Sequence, residues 1–369
     1  MLIARTYRTI DFQMKPALVL NNLFARVVFA ALVLTFSASA GTVYLDNNVT
    51  IGAYTTPNSG AAYTSPASNL ATGLDSVVSG MAADKLNNGS EVILVANEGT
   101  IYSSGPVAAT NGDILEYTLS GAVSTFNVAN GTNGVVNPNG IATDAAGNVY
   151  VGANGGAALE EFSSTGAYES TLAPSGLDIQ SLVVNSAGDV LAAEGNQNLV
   201  EFSGPGDTNE TTLNVTLTGA NHLGMTFDSA GDLFITYTSN SNSYSGGIEE
   251  ITASQLASLY SAGTATPTSI YLAGSAATPM LASGVAYDYG SGDLELAYAT
   301  SFSQERGGGI ETVSTSGTFV GTLATTTAGT PEAILDPVPE PGTLFLSGLG
   351  LAISIIYLRR KNLAVIRQS

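Results

Sequence analysis

Residues 138–172 read PNGIATDAAGNVYVGANGGAALEEFSSTGAYESTL, and the way this stretch breaks up decides the fold. Its apolar residues fall in four short bursts, Ile141-Ala142, Val149-Tyr150-Val151, Leu159 to Phe162 and Tyr168 to Leu172, separated by Gly, Asn, Asp, Ser and Pro. Bursts of this length bounded by turn formers predict four short strands. At the first junction, Asp144-Ala145-Ala146-Gly147-Asn148, the Asx side chain can accept from its own backbone two residues on, and the glycine can take the positive φ of a hairpin bulge. A tight antiparallel hairpin is expected there.

Copies of the unit follow. SLVVNSAGDVLAAEGNQNLVEF places Asn185, Gly188 and Asp189 where Asp144, Gly147 and Asn148 stood; HLGMTFDSAGDLFITYT carries Asp228, Gly231 and Asp232; and SGVAYDYGSGDLELAYA carries Asp288, Gly292 and Asp293 with one more residue in the turn. A looser copy, VVSGMAADKLNNGSEVILVANEGTIYSSG, precedes them all. The turn glycines Gly89, Gly147, Gly188, Gly231 and Gly292 are 58, 41, 43 and 61 residues apart, and the short intervals match the roughly 40 to 50 residues of a four-stranded propeller blade. The long intervals hold the Gly/Ser-rich stretch Ser103 to Gly112 and a short helical pattern, Ala253 to Tyr260, set before the last strand of its blade.

Five copies leave two fragments. Pro331 to Asp336 resembles the first strand of a unit and Gly41 to Asp46 the second. A composite blade made from both would pair the exposed edges and close a ring. The sequence thus predicts an all-β propeller over residues 41–336 with six blades, seven staying open.

The chain has 369 residues, 42 of them Gly, with no Trp and no Cys, so disulfides and thiolate metal sites are excluded. Its few charges argue against a disordered polyelectrolyte. Of the 30 acids, 28 lie in residues 41–338, where Lys85 and Arg306 are the only Lys or Arg, about −26 by formal count. Nucleic acid and anionic membrane surfaces are therefore poor partners. Extracellular glycan or protein suits this surface better.

The remaining basic residues frame the two ends. Arg5, Arg8, Lys15 and Arg26 precede the apolar run VVFAALVLTFSASA, which ends in the small-x-small site Ala38-Ser39-Ala40. This is the layout of a secretory signal peptide over residues 1–40, with Met14 a more conventional start than Met1. Thr343 to Leu358 is sixteen uncharged residues followed by Arg359, Arg360 and Lys361, a pattern that predicts a membrane helix over 343–358 with its basic end inside and the body exported.

The order Pro339-Glu340-Pro341, apolar run, then Arg359-Arg360-Lys361 resembles the sorting tail of the PEP-CTERM proteins of Gram-negative bacteria, here over residues 337–369. The resemblance implies recognition by an exosortase, a membrane-embedded processing enzyme, and delivery to the cell surface or exopolysaccharide layer. The tail beyond Lys361 is longer than the pattern's. The blade stretches GIATDAAGNVYVG and LVVNSAGDVLAAE resemble those of NHL and SMP-30/gluconolactonase-like six-bladed propellers. That second resemblance brings the alternative of a lactonase-like hydrolase holding a divalent metal on axial oxygen ligands.

Candidate chemistry is sparse. His222, the single histidine, precedes an inner strand and is a channel candidate for a general base, or else a hydrogen-bonded loop residue. The Asp/Asn pairs of the turns invite Ca²⁺, yet each loop is short for wrapping an ion and turn chemistry alone accounts for them, so no cofactor is expected. Glu160-Glu161 and Glu249-Glu250 enter strands whose alternation exposes one carboxylate and turns its neighbour inward; a solvated edge is expected rather than an acid pair for glycoside cleavage. The variable insertions, chiefly Ser103 to Gly112 and Ser239 to Gly247, are where binding is expected. The expectation is an exported binding or structural propeller without catalytic residues.

Overall fold

A computed structural model describes residues 42–46, 50–55, 66, 68–72, 78–85, 91–97, 113–128, 138–153, 157–195, 197–203, 210–219, 221–238, 246–273, 281–300, 308–326 and 333–336. The expected signal and sorting helices and the Ser103 to Gly112 insertion lie outside these residues. Among the described residues no helix is long and apolar enough to cross a membrane.

The strands form six four-stranded antiparallel sheets. Blade 1 holds β1 (Thr42–Asp46), β2 (Thr50–Thr55) and β3 (Ser68–Thr72). Blade 2 runs from β4 (Val78–Lys85) through β5 (Glu91–Asn97) and β6 (Asp113–Thr118) to β7 (Val123–Val128). Blade 3 is the opening stretch, β8 (Pro138–Thr143), β9 (Val149–Ala153), β10 (Ala157–Phe162) and β11 (Tyr168–Leu177). Blade 4 has β12 (Ile179–Val184), β13 (Val190–Glu194), β14 (Leu199–Phe202) and β15 (Glu210–Thr212). In blade 5, β16 (Met225–Phe227), β17 (Leu233–Thr238) and β18 (Gly246–Ile251) lead through helix α1 (Ala253–Tyr260) to β19 (Thr268–Ala273). Blade 6 comprises β20 (Leu281–Tyr287), β21 (Asp293–Ala299), β22 (Gly308–Ser314) and β23 (Phe319–Thr326).

Blade 1 is completed by β24 (Ile334–Leu335), which pairs with β1 in the register Tyr44↔Leu335 and Leu45↔Ile334. A further bond from Asp46 N to Ala333 O, 3.1 Å, extends this closure. Both ends of the body thus build one blade, as the unit comparison predicts, and six is the blade count.

Alternation along each strand points side chains at the two flanking blades in turn. In β9, Val149 and Val151 join a cluster with Leu94 and Ile114 of blade 2, whereas Tyr150 between them packs with Leu182 and Phe202 of blade 4. Six such clusters occur among the described residues, one at each interface between neighbouring blades. Each fully buried Val, Leu, Ile or Phe side chain contributes about 1.5–3 kcal/mol, so the core lies between sheets.

The predicted hairpins form as read. Asp144 Oδ1 accepts from Ala146 N and Asn148 N, both at 2.8 Å, and Gly147 adopts φ +85°. Asn185 and Asp228 repeat the arrangement; in the longer turn Asp288 Oδ1 accepts from Gly290 N at 2.7 Å, Asp293 N turns to Ser291 Oγ at 3.1 Å, and Gly292 N reaches Asp288 O at 2.8 Å, while the turn at Gly89 lies outside the described residues. A second hairpin set, joining third and fourth strands, uses hydroxyls instead. Thr118, Ser163 and Ser314 accept from the backbone N–H four residues on at 3.1, 3.2 and 3.0 Å. The glycines of these turns, Gly121, Gly166 and Gly317, press against the backbone of the preceding blade's outer strand, at Leu70, Phe126 and Ile270. The repeat therefore stitches blade to blade at the rim as well as through the cores.

Helix α1 begins with a capping box: Thr252 Oγ1 accepts from Gln255 N, and Gln255 Oε1 from Thr252 N at 2.8 Å. Asp232 Oδ1, from the first hairpin of blade 5, takes Ala253 N at 2.7 Å. Leu256 and Leu259 then close over the core between blades 4 and 5.

Candidate functional site

The inner strands surround a narrow axial channel whose cavity measures about 50 Å³, room for a few water molecules. Its walls are backbone and small or aliphatic side chains, such as Gly80, Gly140, Ser181, Gly224, Gly284 and Ile334. The glycines explain the constriction. A Cβ on Gly80 would lie 2.6 Å from Asn139 O, and one on Gly224 would lie 2.6 Å from Val285 N, so the inner strands approach backbone to backbone. Among the described residues no Asp, Glu, His, Lys, Arg or Tyr side chain lines this cavity, and no group of three or more His, Asp and Glu comes together to hold a metal ion.

His222 lies beside this channel rather than in it. Leu223, Gly224 and Met225 line the wall, whereas the imidazole is fully buried between blades 4 and 5. The His222 backbone N–H donates to Gln180 Oε1 at 2.7 Å, its backbone O accepts from Ser181 Oγ at 2.6 Å, and ring Nε2 is 2.9 Å from Thr218 O. Nδ1 is enclosed without a hydrogen bond of ordinary geometry, facing the backbone of Glu194. Burial lowers its pKa, opposed by the Thr218 and Glu194 backbone. Backbone and ring together thus tie His222 to blade 4 and to the segment leading into blade 5, and the ring is enclosed between them.

The paired glutamates correct the expectation of a solvated edge. One of each pair does turn inward, but into the sheet interface: Glu249 is wholly buried and Glu161 nearly so. Glu249 takes Thr218 N on both oxygens at 3.1 Å, and burial pushes its pKa up to about 7 against that bond. Glu160 and Glu311 hold the same place in their blades' third strands and are likewise raised by burial; Tyr271 donates to Glu311 at 2.7 Å.

An acidic seam that the sequence did not reveal runs between blade 6 and the composite blade. Asp288, Glu295 and Asp336 are each 7 % exposed or less. Thr312 donates to Glu295, whose pKa burial pushes up with Asp288, Asp336 and Asp293 adding to the rise. Asp336 Oδ2 is enclosed with no hydrogen-bond partner among the described residues, and burial, followed by nearby Asp288, raises its pKa to about 7. Lys85, the one Lys or Arg among the described residues, stands in blade 2. These acids come from segments far apart in the chain, which is why no local pattern announces them.

The turn carboxylates are engaged locally. Beyond its two backbone partners, Asp144 accepts from Asn148 Nδ2 and from Tyr150 OH through Oδ2. Asp228 likewise holds Ala230 N and Asp232 N.

Six four-stranded sheets around an axial channel define a six-bladed β-propeller. Residues 337–361 match the PEP-CTERM protein-sorting motif, which marks the chain as exported through a membrane-anchored precursor and processed by an exosortase. Pro339, Glu340, Pro341, Arg359, Arg360 and Lys361 all fall inside that match, outside the described residues; Ala38 and Ala40 also lie outside the described residues. The propeller is similar in fold to a chain of a nidogen/laminin complex, at 14% identity over 79% of this chain and 97% of that one, TM-score 0.58. It is similar too to a protein of unknown function from Bacteroides caccae, at 13% over 82% and 100%, TM-score 0.55. The periplasmic gluconolactonase of Pseudomonas aeruginosa shares it at 12% over 81% and 99%, TM-score 0.51. At such identities the likeness is one of fold. No curated protein has a sequence that matches this one.

Proposed function

We propose that this protein is a non-enzymatic propeller displayed at the cell surface or in the exopolysaccharide layer, where it binds glycan or protein through its connecting segments. The observation that supports this reading is the channel wall: among the described residues it is glycine, serine, methionine and aliphatic side chains, without an acid, base or nucleophile array on the axis where a propeller enzyme gathers its chemistry. The sorting motif supplies the address. A strongly acidic body suits a hydrated extracellular matrix and disfavours nucleic acid. The test is to purify the full chain in detergent and screen it against glycans, lactones and phosphodiesters. Saturable binding without turnover is expected; turnover abolished by EDTA would overturn the reading.

The second reading is a metal-dependent lactonase-like hydrolase. Two buried amide side chains favour it, Asn139 and Gln180, which immediately precede the channel residues Gly140 and Ser181. The same screen decides, since that reading requires lactone opening that returns when a divalent metal is restored.

A further inference from the structure

A second cavity, about 320 Å³, lies away from the channel where blade 1 meets blade 2. That volume is in the range of small-ligand pockets, about 300–1,000 Å³. Blade 1 contributes Tyr44 of β1 and Ser68, Asn69 and Leu70 of β3; blade 2 contributes Leu119 and Ser120 from the tip of its Thr118–Ala122 hairpin. Ser68, Asn69 and Ser120 are exposed, Leu119 is 47 % exposed, and Tyr44 and Leu70 are buried in the wall. Burial, and then nearby Glu91, raises the Tyr44 pKa, so its phenol keeps its proton. Among the described residues no lining side chain is charged.

The place also departs from the repeat. Five-residue hairpins join the third and fourth strands of blades 2, 3 and 6, whereas blade 1 spends residues 56–67 between β2 and β3. Here the blade 2 hairpin meets the outer strand of blade 1, and a Cβ on Gly121 would stand 3.0 Å from Leu70 O. The cavity's polar wall therefore spans two blades, with hydroxyls on both and the Asn69 amide on one.

Hydroxyl and amide groups set against an aromatic ring and leucines suit a ligand with hydrogen-bonding groups around its edge and an apolar C–H face. An anionic ligand would find no counter-charge here and an acid-rich body around it; a cation would find no carboxylate in the wall. We propose that this cavity is a binding subsite for a neutral saccharide, an assignment that rests on the glycan-binding reading above and gives it a location.

The test is titration of the full chain in detergent with neutral gluco-, galacto- and manno-oligosaccharides, beside uronate-containing oligosaccharides as the anionic control. Asn69→Ala removes the exposed amide, and Ser120→Trp fills the space. Each is expected to weaken neutral-oligosaccharide binding at least tenfold while the melting temperature stays put. Neutral binding that survives both substitutions overturns the site and leaves the broader binding reading standing. A preference for the uronate series overturns the neutral assignment, and the absence of any oligosaccharide binding overturns the site together with the glycan reading. Should Ser120→Trp lower the melting temperature, Asn69→Ala alone decides.

Discussion

Replacing Asp336 by Asn should flatten part of the pH dependence of this propeller's stability. The carboxyl sits in the seam that closes the ring, 7 % exposed, with Oδ2 enclosed and Asp288 beside it. Its pKa is raised from 3.8 to about 7, so the folded state holds the proton more tightly than the unfolded chain does. Stability is then full below about pH 4, falls as pH rises towards 7, and is level above that. Each tenfold change in proton affinity is worth about 1.4 kcal/mol, giving a ceiling of about 4 kcal/mol between the two plateaus. Water entry and side-chain movement bring the expectation to about 2 kcal/mol. Asn mimics the protonated carboxyl in shape and cannot ionise. The variant should match the parent at pH 4 and exceed it by about 2 kcal/mol at pH 8, a gain of about 4 °C in melting temperature for a domain of this size. Scanning calorimetry of both proteins from pH 4 to pH 8 measures the difference directly. Glu249 and Glu295 titrate in the same direction, so the comparison must be parent against variant. A difference in melting temperature that does not change with pH would refute the reasoning.

Gly317→Ala and Gly188→Ala separate collision from backbone strain. Both glycines have positive φ, but a Cβ at 317 would run into Ile270 O whereas one at 188 meets nothing within 4 Å; urea titration should show about 1 kcal/mol lost at 188 and at least about 2 kcal/mol at 317. Glu249→Gln keeps an oxygen for Thr218 N and loses the ionisation, so the variant should gain stability over the parent at pH 8 relative to pH 5, whereas Glu249→Ala should lose about 1–3 kcal/mol at both. Replacing residues 333–336 by Gly-Ser repeats should expose the free edge of β1, seen as self-association in size-exclusion chromatography. Substituting Pro339, Glu340 and Pro341 together by Ala should block exosortase processing, seen as retention of the full-length chain in the membrane fraction.

The ring was legible because its determinants are local and repeated. Asp144 with Gly147, Asn185 with Gly188 and Asp228 with Gly231 each write one hairpin within five residues, and their spacing fixes the blade. Even the composite blade could be read, since the sequence of Pro331 to Asp336 resembles the first strand of a unit. The hydroxyl hairpins at Thr118, Ser163 and Ser314 repeat just as faithfully, but Ser and Thr are common throughout this chain and stood out less than Asx residues. The acidic seam could not be read at all: Asp336 joins Asp288 and Glu295 only once the ring is closed. The glutamates of β10 and β18 show the limit of alternation, which gives the side a residue faces but not whether a neighbouring blade covers that side. His222 illustrates the same point, since the sequence places it near the axis while burial between blades removes it from the channel.

The closing strand has a mechanical consequence. Five sheets are each made from one continuous run of chain, but the sixth holds its innermost strand by two ladder pairs and the Asp46–Ala333 bond. Because the sorting motif starts at residue 337, any tether applied through it pulls on Ile334 and Leu335 before any other strand. Tension would therefore peel the ring open at this one weak link, a mechanical fuse that yields before the other five blades bear load.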